Sequence, residues 1–219
     1  KVAVDALLDH PEVQAISFVG STPVARYIYA RASANGKRVQ CQGGAKNHVV
    51  VLPDADPETT TQIIADSAYG CAGQRCLAVS VAVTVGDARQ WFGDAITKTA
   101  ASLKVGDGLA DGVQMGPVIS PASRQRIESL IETGTRSGAR AAVDGRGQAA
   151  QGCFVGPTVL DGVPAESELT ETEIFGPVLS LIHAADVDEA IAIITRNSYG
   201  NASSIFTSSG AAARKFRNL

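Results

Sequence analysis

The sequence is poor in the residues that build metal centres. It holds three histidines and four cysteines among 219 residues. Cys41, Cys71, Cys76 and Cys153 lack metal-ligand spacing, and Cys71 and Cys76 stand five apart, so no metal site is expected. Nor do these cysteines read as a disulfide framework; free thiols in a reducing, intracellular compartment fit better. No run of lysine and arginine occurs and the net charge is −3, which argues against nucleic acid as a partner. No apolar stretch is long enough to span a bilayer and no signal peptide opens the chain, so no membrane partner is expected. Internal repeats and low-complexity tracts are absent too.

What is present is material for a core. Hydrophobic residues make up 45%, and the length suits one large domain, or one plus part of another. The chain starts at Lys1 within an amphipathic pattern (Val4, Leu7, Leu8) and stops within another, Ala213 to Leu219. That predicts a piece of a longer polypeptide.

Strand-like and helix-like runs alternate between those ends. Ala15–Val19 is an apolar run ending at Gly20, followed by a helix over Pro23–Ala34. Arg38–Cys41 and His48–Leu52 read as strands. Asp56-Pro57-Glu58 supplies an N-cap, a first-turn proline and an early acid, opening a helix to about Tyr69. Val79–Val85 is β-rich. Asp87 reads as the cap of a helix in which Trp91, Ala95, Ile96, Ala100 and Leu103 recur at helical spacing. Ile127, Leu130 and Ile131 mark another helix, with a strand near Ala139–Val143. Pro177–His183 reads as a strand, Val187–Arg196 as a helix and Ala202–Phe206 as a strand. Val105–Gly116 and Asp144–Gly152 read as surface loops. The alternation predicts an α/β layered fold with a largely parallel sheet.

Three short segments are chemically suggestive. Phe18-Val19-Gly20-Ser21-Thr22-Pro23 ends a strand in a small turn and starts a helix, where free N–H groups favour an anion such as a pyrophosphate. It is not a G-x-G-x-x-G fingerprint. Gly70-Cys71-Ala72-Gly73-Gln74-Arg75-Cys76 crowds small residues around a cysteine, with Arg75 placed to lower a thiol pKa or bind an anion. Glu173-Ile174-Phe175-Gly176-Pro177 offers a carboxylate for ribose hydroxyls and an aromatic ring. Each segment alone is better explained as ordinary structure: a helix capped by Ser21, a buried cysteine, an exposed glutamate beside a core phenylalanine.

Taken together, in this order and at this spacing, the segments point to function instead. With the Gly43-Gly44 pair and Asn197-Ser198-Tyr199-Gly200, they resemble the aldehyde dehydrogenase superfamily along essentially the whole chain. The resemblance implies a three-layer αβα catalytic domain with a largely parallel sheet over residues 43–219. Residues 1–42 would then be the C-terminal edge of the NAD-binding domain. It implies Cys76 as nucleophile, Ser21 as a pyrophosphate contact beside Gly20 and Gly43, Glu173 as the ribose-binding glutamate and Phe175 as the aromatic beside the nicotinamide. The family's Glu-Leu-Gly-Gly reads here as Cys41-Gln42-Gly43-Gly44, so Cys41 stands where the water-activating glutamate is expected.

Gly-Ser-Thr-Pro-Val-Ala, Ala45-Lys46-Asn47-His48 and Gly-Gln-Arg-Cys are similar to the CoA-acylating methylmalonate-semialdehyde dehydrogenase branch. That branch implies NAD and CoA as co-substrates and a role for Arg75 on a substrate carboxylate. It also implies a homo-oligomer, dimer or tetramer, in the full-length enzyme, located in the bacterial cytoplasm or in a mitochondrion if the source is eukaryotic. Two other readings stand beside it: hydrolysis of the thioester to a free acid, and a non-catalytic α/β binding module in which Cys76 is structural. On the acylating reading the isolated 219 residues are expected to be inactive, because the family's oxyanion-hole asparagine and most of its dinucleotide site lie upstream. Cys71 and Cys153 read as structural, and His10 and His183 as surface or strand-end residues.

Overall fold

The computed structural model describes residues 1–147 and 152–218. The chain divides into two compact units, Lys1–Gly44 and Ala45–Leu219.

In the first unit α1 (Val2–Asp9) precedes β1 (Ala15–Val19), α2 (Thr22–Ala34) and β2 (Arg38–Gln42). The strands pair in parallel, with Val19 opposite Gln42, and α2 is the crossover that parallel pairing demands. Leu8, Ile28 and Ala32 form a small buried core. Ile16, Phe18, Val39 and Cys41 pack against it. These inward residues alternate with exposed ones along each strand, as a sheet covered on one face requires.

The second unit runs β3 (Asn47–Val51), α3 (Pro57–Tyr69), a tight turn at Gly70–Gly73, β4 (Val79–Val85), α4 (Ala88–Ser102) and α5 (Pro121–Arg136). It continues with β5 (Arg140–Val143), β6 (Thr158–Asp161), the single-turn α6 (Glu168–Glu171), β7 (Val178–Ala184), α7 (Val187–Thr195), β8 (Ser203–Phe206) and α8 (Gly210–Arg217). The sheet order is β5-β6-β7-β4-β3-β8. Every neighbouring pair is parallel except β5–β6. β3 is buried at all its positions, and β4 and β7 at most of theirs. Strands buried on both faces need layers of helix on either side, which gives the α/β architecture the alternation predicts. Val50, Val81, Val83, Leu179 and Leu181 are the centre of that core.

Local chemistry sets the helix starts. Asp56 accepts from Thr59 N–H at 2.8 Å with Pro57 in the first turn, and Ser120 with Pro121 repeats the device at α5. Asp87 departs from expectation. It occupies the cap position of α4, but its backbone is already helical and its side chain bonds no helix N–H. Val105–Gly116 is not wholly surface: Val105 bridges Met115, and Met115 is buried. Residues 148–151 of the expected loop Asp144–Gly152 lie outside the described residues, as does Leu219 at the chain's end.

Candidate active site

Parallel order brings the loops that precede four neighbouring strands to one edge of the six-stranded sheet. Asn201 precedes β8, Asn47 opens β3, Cys76 precedes β4, and Glu173 and Phe175 precede β7. A pocket at this edge is lined by Asn47, Arg75, Cys76, Glu173 and Phe175. Four of the residues singled out from sequence therefore meet in one place.

The cysteine loop begins where α3 ends. Cys71 (φ 53°, ψ 31°) and Ala72 (φ 52°, ψ 37°) are left-handed, and Gly73 follows at φ 68°. For the two residues with side chains this costs about 1–2 kcal/mol each, and strain of this kind gathers at functional sites. Gln74 fastens the turn: its Nε2 donates to the carbonyls of Cys71 (3.1 Å) and Pro117 (3.3 Å), and its Oε1 accepts from Ile119 N–H at 2.8 Å. Cys76 is exposed, which removes the view of it as a buried packing residue. Its carbonyl accepts from Asn47 Nδ2 and from Asn201 Nδ2, each at 2.7 Å. Cys71 is exposed as well, so it lies outside the buried core. The tight turn swings its side chain outward. Cys153 is half-buried against the core.

Arg75 is partly committed. Its Nη2 donates to the carbonyls of Asp66 and Ser67, both at 3.0 Å, at the end of α3. The guanidinium lies so close over Gly70 that a Cβ there would meet Nη2 at 2.6 Å. Two carbonyls use both Nη2 protons, leaving Nε and Nη1 as donors for an anion.

On the opposite wall, Arg126 of α5 donates to the carbonyls of Glu173 (2.5 Å) and Ile174 (2.7 Å). Phe175 is held at φ 53° and is 42% exposed, unusual for a bulky residue on both counts. It is therefore not the core phenylalanine that its segment alone suggests. The two walls touch through glycine: a Cβ on Gly73 would lie 2.1 Å from the Gly176 oxygen. Below them Lys46 is buried with no partner on Nζ among the described residues. Burial pushes its pKa down to about 7; the Glu173 charge opposes that shift and Arg126 adds to it. His48 Nδ1 lies 2.9 Å from the Lys46 carbonyl, and burial lowers that imidazole to about 4. His183 bridges Thr84 (2.7 Å) and Asp161 (2.9 Å) at the far end of the sheet, away from the pocket lining, as expected of a strand-end residue. His10 is exposed near the start of the chain.

The first unit gathers the other singled-out residues. Gly20, Ser21 and Gly43 follow the C-terminal ends of β1 and β2, at the start of α2. Ser21 holds the N-cap position of α2 yet makes no capping bond, so the ordinary capped-helix account fails. A Cβ at Gly20 would meet the Phe18 ring at 2.5 Å. One at Gly43 would meet Thr22 Oγ1 at 2.8 Å. That hydroxyl accepts from Gly44 N–H at 3.0 Å. A helix start with uncapped N–H groups beyond strand C-termini is the usual setting for a phosphate. No cluster able to hold a metal ion exists among the described residues.

An exposed cysteine just after a strained glycine turn, lining one pocket with a glutamate and an exposed phenylalanine, is the arrangement the sequence motifs imply. The whole chain, residues 1–219, matches the model of the aldehyde dehydrogenase family, and the chain belongs to that family. More particularly, it is similar to the acylating, mitochondrial methylmalonate-semialdehyde/malonate-semialdehyde dehydrogenase of Homo sapiens. The two are 45% identical over 221 residues, covering 99% of this chain and 41% of that protein. The crystal structure of methylmalonate-semialdehyde dehydrogenase from Oceanimonas doudoroffii has a TM-score of 0.96 to this chain at 44% identity, over 100% of this chain and 46% of that one. Betaine aldehyde dehydrogenase from Staphylococcus aureus, in complex with NAD+, has a TM-score of 0.91 at 29% identity, over 98% and 43%. The chain thus spans less than half the length of these relatives. Sequence reasoning places Asn47 within a family landmark but gives it no role, and it misses Asn201, the Gly73–Gly176 contact and the Arg126 clasp. Asn201 and Arg126 act through side chain-to-carbonyl bonds between distant segments, for which composition carries no signal.

Proposed function

We propose that this chain carries the nucleophile and part of the cofactor site of an NAD-dependent, CoA-acylating aldehyde dehydrogenase for malonate- or methylmalonate-semialdehyde-type substrates. In this reading residues 1–42 are the edge of the NAD-binding domain and residues 43–219 the catalytic domain. The observation that carries the proposal is the meeting of exposed Cys76 with Arg75, Glu173 and Phe175 around one pocket.

As thiolate, Cys76 Sγ attacks the aldehyde carbon; the C–S bond forms and the carbonyl pair moves onto oxygen. The Cys76 backbone N–H is a donor for that oxyanion. Bound NAD+ supplies the acceptor for the hydride that leaves this carbon, and a thioester is left on Cys76. With NAD+ bound, Glu173 would hold ribose hydroxyls, Phe175 would lie by the nicotinamide, and Ser21 with the α2 N-terminus would hold the pyrophosphate. Gly20 and Gly43 make room there for the Phe18 ring and for Thr22 Oγ1. The free N–H groups of Arg75 suit a substrate carboxylate.

The thioester then needs an acceptor. Cys41 and Gln42, at the positions of the family's Glu-Leu, carry no carboxylate. A CoA thiolate meets the need without a base. The whole enzyme in this reading is a dimer or tetramer, in the bacterial cytoplasm or a mitochondrion. The test is product identification by mass spectrometry, using the full-length enzyme with NAD+ and malonate semialdehyde. Acyl-CoA formed only when CoA is present is expected. Free acid formed at full rate without CoA overturns the acylating reading in favour of hydrolysis.

A further inference from the structure

The Cys76 carbonyl is unusual in receiving two side-chain amides from distant parts of the chain. Asn47 Nδ2 donates to it at 2.7 Å and also to the Ala78 carbonyl at 2.9 Å. Asn201 Nδ2 donates to it at 2.7 Å. Asn47 belongs to β3, Asn201 to the segment entering β8, and Cys76 to the segment entering β4. β8, β3 and β4 are consecutive neighbours in the sheet. Asn47 is buried, whereas Asn201 is exposed. The contact from Asn201 spans 125 residues of sequence, so nothing local dictates it.

We propose that Asn201 is a positioning residue for Cys76, working with Asn47 as a two-sided clamp on the nucleophile's carbonyl. The inference rests on the nucleophile reading given above and adds to it. A carbonyl oxygen has two lone pairs, and here each meets a donor. The peptide plane after Cys76 is therefore fixed from both sides, and with it the direction in which Sγ and the backbone N–H leave Cα. The two donors also offset the negative end of the carbonyl dipole. Asn47 alone leaves one lone pair facing solvent and lets the exposed half of the loop swing. Because Asn201 is at the surface, its amide can be removed without opening the core.

The test uses the full-length enzyme and two variants, Asn201→Asp and Asn201→Ala. The aspartate keeps the shape of the side chain but has no donor when ionised. Iodoacetamide alkylation of Cys76 and of Cys71 is followed by mass spectrometry across a pH series, with thermal melting as a check on folding. Cys71 is exposed on the same loop and serves as the internal reference. In both variants the alkylation rate of Cys76 should fall roughly 3- to 10-fold, the factor that one neutral hydrogen bond carries. In Asn201→Asp the pH midpoint should also rise. The rate at Cys71 should not change. A purely structural role would move both cysteines together, and that result overturns the proposal, as does a Cys76 rate and midpoint equal to wild type in both variants. Failure of the nucleophile reading shows separately, in the wild-type enzyme, as a Cys76 that reacts no faster than Cys71.

Discussion

Replacing Gly73 with alanine should separate the two walls of the pocket. Two costs arise, and the structure supplies a control for one of them. Gly73 has φ +68° and Gly162 has φ +69°, but nothing lies within 4 Å of a Cβ built on Gly162. Gly162→Ala therefore carries the left-handed backbone cost alone, about 1–2 kcal/mol. Gly73→Ala carries the same cost and a collision, with its Cβ 2.1 Å from the Gly176 oxygen and 2.6 Å from the Gly176 carbonyl carbon. Both are backbone atoms, so no side-chain rotation relieves them. The Glu173–Gly176 segment must move away by about 1 Å, at a further ~1–3 kcal/mol typical of overpacking. A displacement of that size near reacting groups costs ~10²-fold in rate. Urea denaturation and aldehyde-dependent NADH formation, measured on the full-length enzyme, read the two effects. The expected pattern is a mild loss of stability with near-normal turnover in Gly162→Ala. In Gly73→Ala a larger stability loss should accompany a roughly hundredfold fall in kcat/KM. Matching stability and turnover in the two variants would refute the requirement for glycine at position 73 by contact between the walls.

Arg75→Leu should lower kcat/KM for malonate semialdehyde roughly ten- to hundredfold more than for propanal, since a charge-assisted hydrogen bond is worth about 1.5–3 kcal/mol; equal losses would assign Arg75 to the α3 carbonyls alone. Cys41→Glu should destabilise the first unit in a urea melt, because position 41 packs beside Ile28 and Ala32; a variant as stable as wild type contradicts that packing. Stability should fall as pH drops from 6.5 towards 4, because in that window unfolded His48 takes up a proton that the buried imidazole refuses, its folded pKa being about 4. The loss is about 3 kcal/mol at most. It should flatten in His48→Asn, and identical pH slopes in urea melts would remove His48 as the cause.

Much of the fold is written locally. Asp56-Pro57-Glu58 and the valine-rich runs at 49–51 and 79–85 carry capping and burial signals that act within a few residues, and those elements form where expected. Elements with little local signal escape a reading of the sequence. β6 is a four-residue strand between Pro157 and Gly162 that owes its shape to the sheet it joins, and α6 is a single turn packed on α5. The candidate site shows the same division. Cys76, Glu173 and Phe175 sit in glycine-marked segments that stand out in sequence. The bonds that hold them, from Arg126 to the Glu173 carbonyl and from Asn201 to the Cys76 carbonyl, join side chains to backbone groups 47 and 125 residues away. Any residue has a carbonyl, so the acceptor leaves no trace in the sequence. The general tendency of cysteine to be buried favours a packing role for Cys71; three successive positive φ angles turn it outward instead.

The most direct test of the account is to catch the acyl group on the enzyme. Full-length protein is mixed with NAD+ and malonate semialdehyde without CoA, quenched in acid and digested for peptide mass spectrometry. The account predicts an acyl adduct on the peptide containing Cys76, lost within one turnover when CoA is added before the quench and absent from Cys76→Ser. An adduct on Cys71 or Cys153, or undiminished NADH formation by Cys76→Ser, would contradict it.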